Sequence, residues 1–180
     1  NNLSIDKVGA YTLKATSTGL SNATGQNMAI TVGPAATMTV AANSTPQSAP
    51  ISTSFANALS VTVKDAGGNP ISANVTFTLP ASGASGTFGN NSETTIIAAT
   101  NGSGVATAGK VNTNATLGSY TVTATTPGAN NTTVSASFSL TNTAATSLAA
   151  RAYIPSATAK TVSVIDTGTG LVVATVAVSY

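Results

Sequence analysis

Leu117-Gly118-Ser119-Tyr120-Thr121-Val122-Thr123-Ala124-Thr125 decides the fold class of this chain. Tyr120, Val122 and Ala124 fall on one side of an extended backbone, and mostly hydroxyl-bearing residues fall on the other. Alternation with a period of two marks a strand with one buried and one wet face. The same pattern stands near the start, as Val8-Gly9-Ala10-Tyr11-Thr12-Leu13-Lys14-Ala15-Thr16. Each copy is followed by a turn region and a second apolar-alternating stretch. The alignment places Met28 and Ile30 of the first unit against Phe138 and Leu140 of the second. Two matching strand–turn–strand units are the sign of an internal repeat. Residues 1–33 are therefore expected to be the last two strands of one incomplete module, and residues 34–142 a complete one.

Outward from this stretch, period-two segments continue through the middle of the chain. Met38 and Val40 alternate, then a polar loop with Pro46 and Pro50 fills 43–56, and Leu59, Val61 and Val63 alternate next. Asp65-Ala-Gly-Gly-Asn69-Pro70 reads as a turn, because its glycines permit positive φ and Asp bonds its own backbone there. Ala73, Val75, Phe77 and Leu79 share a face. A Gly/Ser loop at 80–92 holds Phe88, and Ile96 and Ile97 lie in a strand at 93–99. Asn101-Gly102-Ser103-Gly104 is a further turn. Short alternating strands with turn signals about every ten residues predict an all-β sandwich. In the tail, 143–180, a short strand at Ala152–Pro155 precedes a β-hairpin whose turn is Asp166–Gly170.

Composition bounds the function. The 180 residues include six Lys or Arg, four Asp or Glu, no His and no Cys, for a formal charge of +2. At 42% hydrophobic, the chain departs from the low-hydrophobicity, high-charge signature of disorder. The scattered cations form no basic patch, so nucleic-acid binding is not expected. No apolar run reaches the ~20 residues that span a bilayer, so membrane insertion is not expected. Asn1 opens into a polar stretch, so the chain is read as mature or cut from a longer one.

The search for chemistry mostly returns structure. Without imidazole or thiol there is no common zinc set and no activated Ser or Cys nucleophile. Asp6, Asp65, Glu93 and Asp166 are far apart in sequence. Asp65 with Asn69 supplies too few oxygens for calcium. Lys64, Lys110 and Glu93 are the members available for a Lys–Asn isopeptide staple, with solvated lysines the simpler reading. No enzyme, cofactor or metal is expected. Asn-x-Ser/Thr acceptors stand at Asn2, Asn22, Asn43, Asn74, Asn90, Asn101, Asn114, Asn130 and Asn131, with Asn43 and Asn130 in accessible loops.

The residues of the middle module resemble the bacterial immunoglobulin-like (Ig-like) repeats of the invasin and intimin type. Those residues are Val61-Thr-Val-Lys-Asp-Ala-Gly-Gly-Asn-Pro70, Val75-Thr-Phe77, Gly86-Thr-Phe88, Thr100-Asn-Gly-Ser-Gly-Val-Ala106 and Gly118-Ser-Tyr-Thr-Val122. The resemblance implies an Ig-like β-sandwich, with structural roles for Asp65, Asn69, Gly102, Gly104 and Tyr120. Tyr120 stands where such folds carry a tyrosine corner, its hydroxyl tied to backbone upstream. The tail, Ala152-Tyr153-Ile154-Pro155 with Val162-Ser-Val-Ile-Asp-Thr167 and Val172-Val-Ala-Thr-Val176, resembles one repeat of the YVTN class of surface-layer β-propellers. It departs from that class at Ile154-Pro155, and one repeat cannot close a propeller.

Both resemblances imply an extracellular or cell-surface protein with a filament, stalk or surface-layer role. Two unfinished β pieces are expected to be completed by neighbouring chains, head to tail, or by adjoining domains of one polypeptide. Tyr11, Leu13, Val162, Val164, Val176 and Val178 are the inter-subunit strand residues on this reading. An adhesin or carbohydrate-binding module, with a host or surface glycan as partner, is the alternative. Against it, Trp is absent and the tyrosines are only Tyr11, Tyr120, Tyr153 and Tyr180.

Overall fold

The computed structural model describes residues 3–89, 92–145 and 150–179. Asn2, Asn90 and Tyr180 lie outside the described residues. The described chain is all-β apart from a 3-10 turn at Ala129–Asn131. It divides into two compact units, Asn1–Ala144 and Ala145–Tyr180.

The first unit opens with an antiparallel hairpin of β1 (Gly9–Ala15) and β2 (Ala23–Ile30). Ten strands follow: β3 (Thr37–Val40), β4 (Gln47–Pro50), β5 (Leu59–Lys64), β6 (Asn74–Thr78), β7 (Gly86–Phe88), β8 (Thr95–Ala99), β9 (Val105–Gly109), β10 (Val111–Thr113), β11 (Gly118–Pro127) and β12 (Thr133–Thr143). They form a five-stranded sheet, β4-β12-β11-β6-β8, a three-stranded sheet, β3-β5-β9, and a ribbon of β7 with β10. Alternate residues of both sheets point inward: Leu59, Val61 and Val63 from one, Val75, Phe77, Val122, Phe138 and Leu140 from the other. Phe77 and Phe138 meet with ring centroids 6.1 Å apart. Burial of this Val, Leu and Phe set, at about 1.5–3 kcal/mol per side chain, is the main stabilising term of the sandwich.

Three short strands escaped the period-two reading. The polar loop expected at 43–56 contains β4, and the Gly/Ser loop expected at 80–92 contains β7, whose partner β10 was also not anticipated. Each is three or four residues long, too short to show a period. Their partners fix them instead: β4 runs parallel to β12 and buries Ala49, and β7 buries Gly86 and Phe88 against β10.

The repeat holds, with one change of register. Tyr11 pairs with Met28, whereas Tyr120 pairs with Leu140. Met28 therefore stands in the place of Leu140, two positions beyond the Phe138 that the sequence alignment assigned to it. A slip of two keeps every side chain on its face, while a slip of one would invert them all. Between Thr12 and Lys14 the β1–β2 ladder carries an irregularity: Thr12 faces Asn27 and Lys14 faces Thr24, which leaves one extra residue on β2.

The second unit is one antiparallel sheet of β13 (Arg151–Ser156), β14 (Thr161–Asp166) and β15 (Leu171–Ala177), in that order. The expected strand and hairpin are thus joined. Asp166 builds the turn: its Oδ1 accepts the Gly168 and Thr169 N–H groups at 2.9 and 3.1 Å. Val162 and Val164 were expected to offer themselves to a neighbouring chain. They lie on β14, whose two edges are already taken by β13 and β15. Both backbone edges being in use, that strand accepts no further partner, and the open edges are those of β13 and β15.

Candidate functional site

The functional geometry of the first unit lies where the β1–β2 hairpin meets the sandwich. The Asp65–Asn69 turn at the end of β5 first closes on itself. Its Asp65 N–H donates to the Asn69 carbonyl at 3.0 Å, and the Gly68 N–H donates to the Asp65 carbonyl at 3.0 Å. The Asp65 Oδ1 accepts the Asn69 N–H at 2.8 Å and the Asn69 amide at 3.1 Å. This much is the Asx chemistry expected of the sequence.

The same two side chains also reach outward. Asp65 Oδ2 accepts the Gly33 N–H at 3.0 Å. Asn69 Nδ2 donates to the Asp6 carbonyl at 2.8 Å, and Asn69 Oδ1 accepts the Val8 N–H at 3.3 Å. The Lys7 ammonium donates to the Gly67 carbonyl at 2.6 Å. Both the chain entering β1 and the chain leaving β2 are therefore tied to one turn. Asp65 and Asn69 are buried, and the hydrogen bonds from Asn69 and from the Gly33 backbone hold the Asp65 carboxyl down at about 2. Gly67 permits the close approach, since a methyl group there would collide with the Asp6 carbonyl.

Sequence reasoning placed Asp65 and Asn69 in a turn but missed Gly33, Lys7 and Gly67 as its partners. The Gly-Gly pair within the turn was the available signal, because a surface turn needs one positive-φ glycine more often than two. Gly68 takes the positive φ, +76°, and Gly67 leaves the space.

The other structural residues separate cleanly. In the Asn101–Gly104 turn, Asn101 Oδ1 accepts the Ser103 and Val105 N–H groups at 2.9 and 3.1 Å. Gly104 has φ +75°, and its carbonyl accepts the Val63 N–H at 2.8 Å. Gly102 has neither a positive φ nor any atom near the place a Cβ would occupy. Tyr120 packs its ring edge-on against Phe55 at 6.4 Å between centroids, but its buried hydroxyl finds no partner among the described residues, which departs from the expected tyrosine corner. Burial pushes that hydroxyl up to about 12. Asn142 Nδ2, nearby in the β11–β12 register, donates to the Thr116 carbonyl at 3.1 Å and to Ser85 O and Asn114 Oδ1, both at 2.9 Å. The corner occurs in the hairpin instead, where the Tyr11 hydroxyl donates to the Lys7 carbonyl at 3.0 Å.

Tyr11 and Leu13 lie on β1, Val176 on β15 and Val178 just past it; Leu13, Val176 and Val178 are exposed. Asn43 and Asn130 are exposed at positive φ, 65° and 52°, in turns. Asn114 Nδ2 instead donates to the Gly83 carbonyl at 2.8 Å, and Asn101 engages its turn through Oδ1. Lys64, Lys110 and Glu93 are all exposed, unlike the buried triad an isopeptide staple requires. No group of three or more His, Cys, Asp or Glu comes together among the described residues.

No protein-family model matches the chain, and no curated protein matches it. Among solved structures it is similar to the surface layer protein SbsC, domains 1–6, with a TM-score of 0.47 and 20% identity. That match covers 94% of this chain and 21% of the SbsC chain, so the chain spans about a fifth of that length.

Proposed function

We propose that the chain is a structural, non-catalytic segment of an extracellular surface protein, serving as a stalk, filament or surface-layer element built from successive β-modules. The observation that carries this reading is the joint. An Asp–Asn turn at one pole of a sandwich grips both strands of a preceding β piece through side chain and backbone, which is how modules in series hold their order. The internal repeat supports it, since a chain that reuses one strand pair is assembled from copies of one unit. Composition supports it too: hydroxyl and amide groups supply the polarity in place of charge, and Asn43 and Asn130 are placed to accept glycans. The open edges of β13 and β15 suit completion by neighbouring chains or domains.

Brief protease treatment of intact cells of the source organism tests this. Peptides of this chain should be released into the medium, and imaging of the extracted material should show it within a larger assembly. Recovery only from the cell interior, as a monomer of 17.4 kDa, would overturn the reading.

A further inference from the structure

We infer that the face of the β1–β2 hairpin carrying Tyr11 and Met28 is a docking surface for the remaining strands of a β-sandwich. The partner is a sheet half of the same kind as residues 34–113, with one strand antiparallel to β1 and another parallel to β2. This deepens the function just given and rests on it.

The internal repeat carries the inference. Tyr120, Val122 and Leu140 repeat Tyr11, Leu13 and Met28. In the complete module Val122 and Leu140 are 0% exposed, whereas Leu13 is 47% and Met28 38% exposed. The same apolar pattern is therefore covered in one copy and open in the other. What covers it in the closed copy is defined. The β11 edge at Thr123–Thr125 pairs antiparallel with β6, and the β12 edge at Leu140–Thr143 pairs parallel with β4. Carried across the repeat, these edges are Lys14–Thr16 on β1 and Met28–Thr31 on β2. The opposite face is finished and wet, with the Thr12 hydroxyl bonded to Asn27 at 2.6 Å.

The sandwich of a second copy does not fit this surface. Its β4 and β6 are already paired with its own β12 and β11, and they would have to leave their own core to serve a neighbour. The occupant is thus a sandwich half that lacks its last two strands.

The probe is the full chain extended by a second copy of residues 34–113 fused ahead of Ile5. Amide hydrogen exchange is followed at Lys14–Thr16 and Met28–Thr31. Those of these amides that face away from the β1–β2 ladder should exchange rapidly in the 180-residue chain at every protein concentration, and should slow by about 100-fold or more in the extended chain. Binding of a hydrophobic dye should fall in parallel. A second chain, in which residues 9–31 stand in place of 118–143, tests the same fit without an extension and should unfold cooperatively. Fast exchange in the extended chain together with a non-cooperative swap overturns the inference. So does concentration-dependent protection in the 180-residue chain, which would make the occupant a second copy. Either failure leaves the cell-surface result untouched, and an intracellular chain would leave the exchange result untouched.

Discussion

The Tyr11 hydroxyl donates to the Lys7 carbonyl four residues upstream, 3.0 Å away, whereas its repeat partner Tyr120 has no hydrogen-bond partner among the described residues. The carbonyl that corresponds to Lys7 is that of Thr116, which accepts from Asn142 Nδ2 at 3.1 Å. One sequence motif thus carries a bond in one copy and a buried, idle hydroxyl in the other.

The first prediction follows from that contrast. Tyr120→Phe removes a hydroxyl that is desolvated without return, so unfolding stability should be unchanged or slightly raised, within about 1 kcal/mol. Tyr11→Phe should cost about 1 kcal/mol, read as faster amide exchange in β1 and β2 with the sandwich unaffected. Chemical denaturation and exchange on the two variants check this.

Asn142 is the costlier residue to change. It is 2% exposed and its amide satisfies three acceptors on two loops. Asn142→Ala should destabilise the sandwich by about 2–3 kcal/mol, because a buried side chain is removed and the Ser85, Asn114 and Thr116 oxygens each lose a hydrogen bond.

Gly67→Ala isolates the joint. The new methyl group meets the Asp6 carbonyl and touches nothing in the sandwich core. Limited proteolysis within residues 9–33 should accelerate severalfold, while the thermal midpoint of the sandwich stays within a few degrees.

Acid should act on the same joint. The Asp65 carboxyl sits at about 2 in the folded chain, against an ordinary value of 3.8. A group whose folded value is lowered stabilises the fold above its unfolded value, and that contribution fades as pH falls through the folded one. Protection of the hairpin should therefore be constant above about pH 5 and decline between about pH 4 and pH 2. Asp65→Asn should be weaker at neutral pH and should lose this acid dependence. Exchange rates across that range, on both proteins, decide it.

Two glycines two residues apart should respond differently. Gly104→Ala forces a side chain to φ +75° and places its Cβ 2.5 Å from the Val63 carbonyl, which should cost about 1–3 kcal/mol or more. Gly102→Ala meets open space and should stay within about 0.5 kcal/mol. Parallel thermal melts are sufficient.

The sandwich was legible in the chain because its core strands are long enough to alternate. Leu59–Val63, Val75–Leu79 and Tyr120–Ala124 each show a period, and all three bury the face it predicts. The joint was legible only by half. Asp65 and Asn69 are close in sequence and betray a turn, but Gly33, Asp6 and Lys7 join them through a backbone approach that leaves no pattern in side-chain type. The Tyr120 corner failed for a similar reason. The spacing places a tyrosine at the corner but does not report whether its hydroxyl meets an acceptor, and among the described residues it meets none. The tail was read as a separate strand and hairpin because Pro155 breaks the local strand signal. Pro155 is tolerated there because β13 is an edge strand.

The pairing of β4 with β12 has a mechanical consequence. One strand lies soon after the chain enters the sandwich and the other just before it leaves, and they run parallel, with the Ile51 N–H on the Thr143 carbonyl at 2.9 Å. A pull on the two exits drags these strands past each other lengthwise. Their hydrogen bonds, slanted and evenly spaced as in any parallel pair, share the load and must yield together rather than in succession. A strand too short to be noticed in the sequence is thus expected to carry load when the module is pulled end to end, which force spectroscopy on Ala49→Pro would read as a lowered opening force.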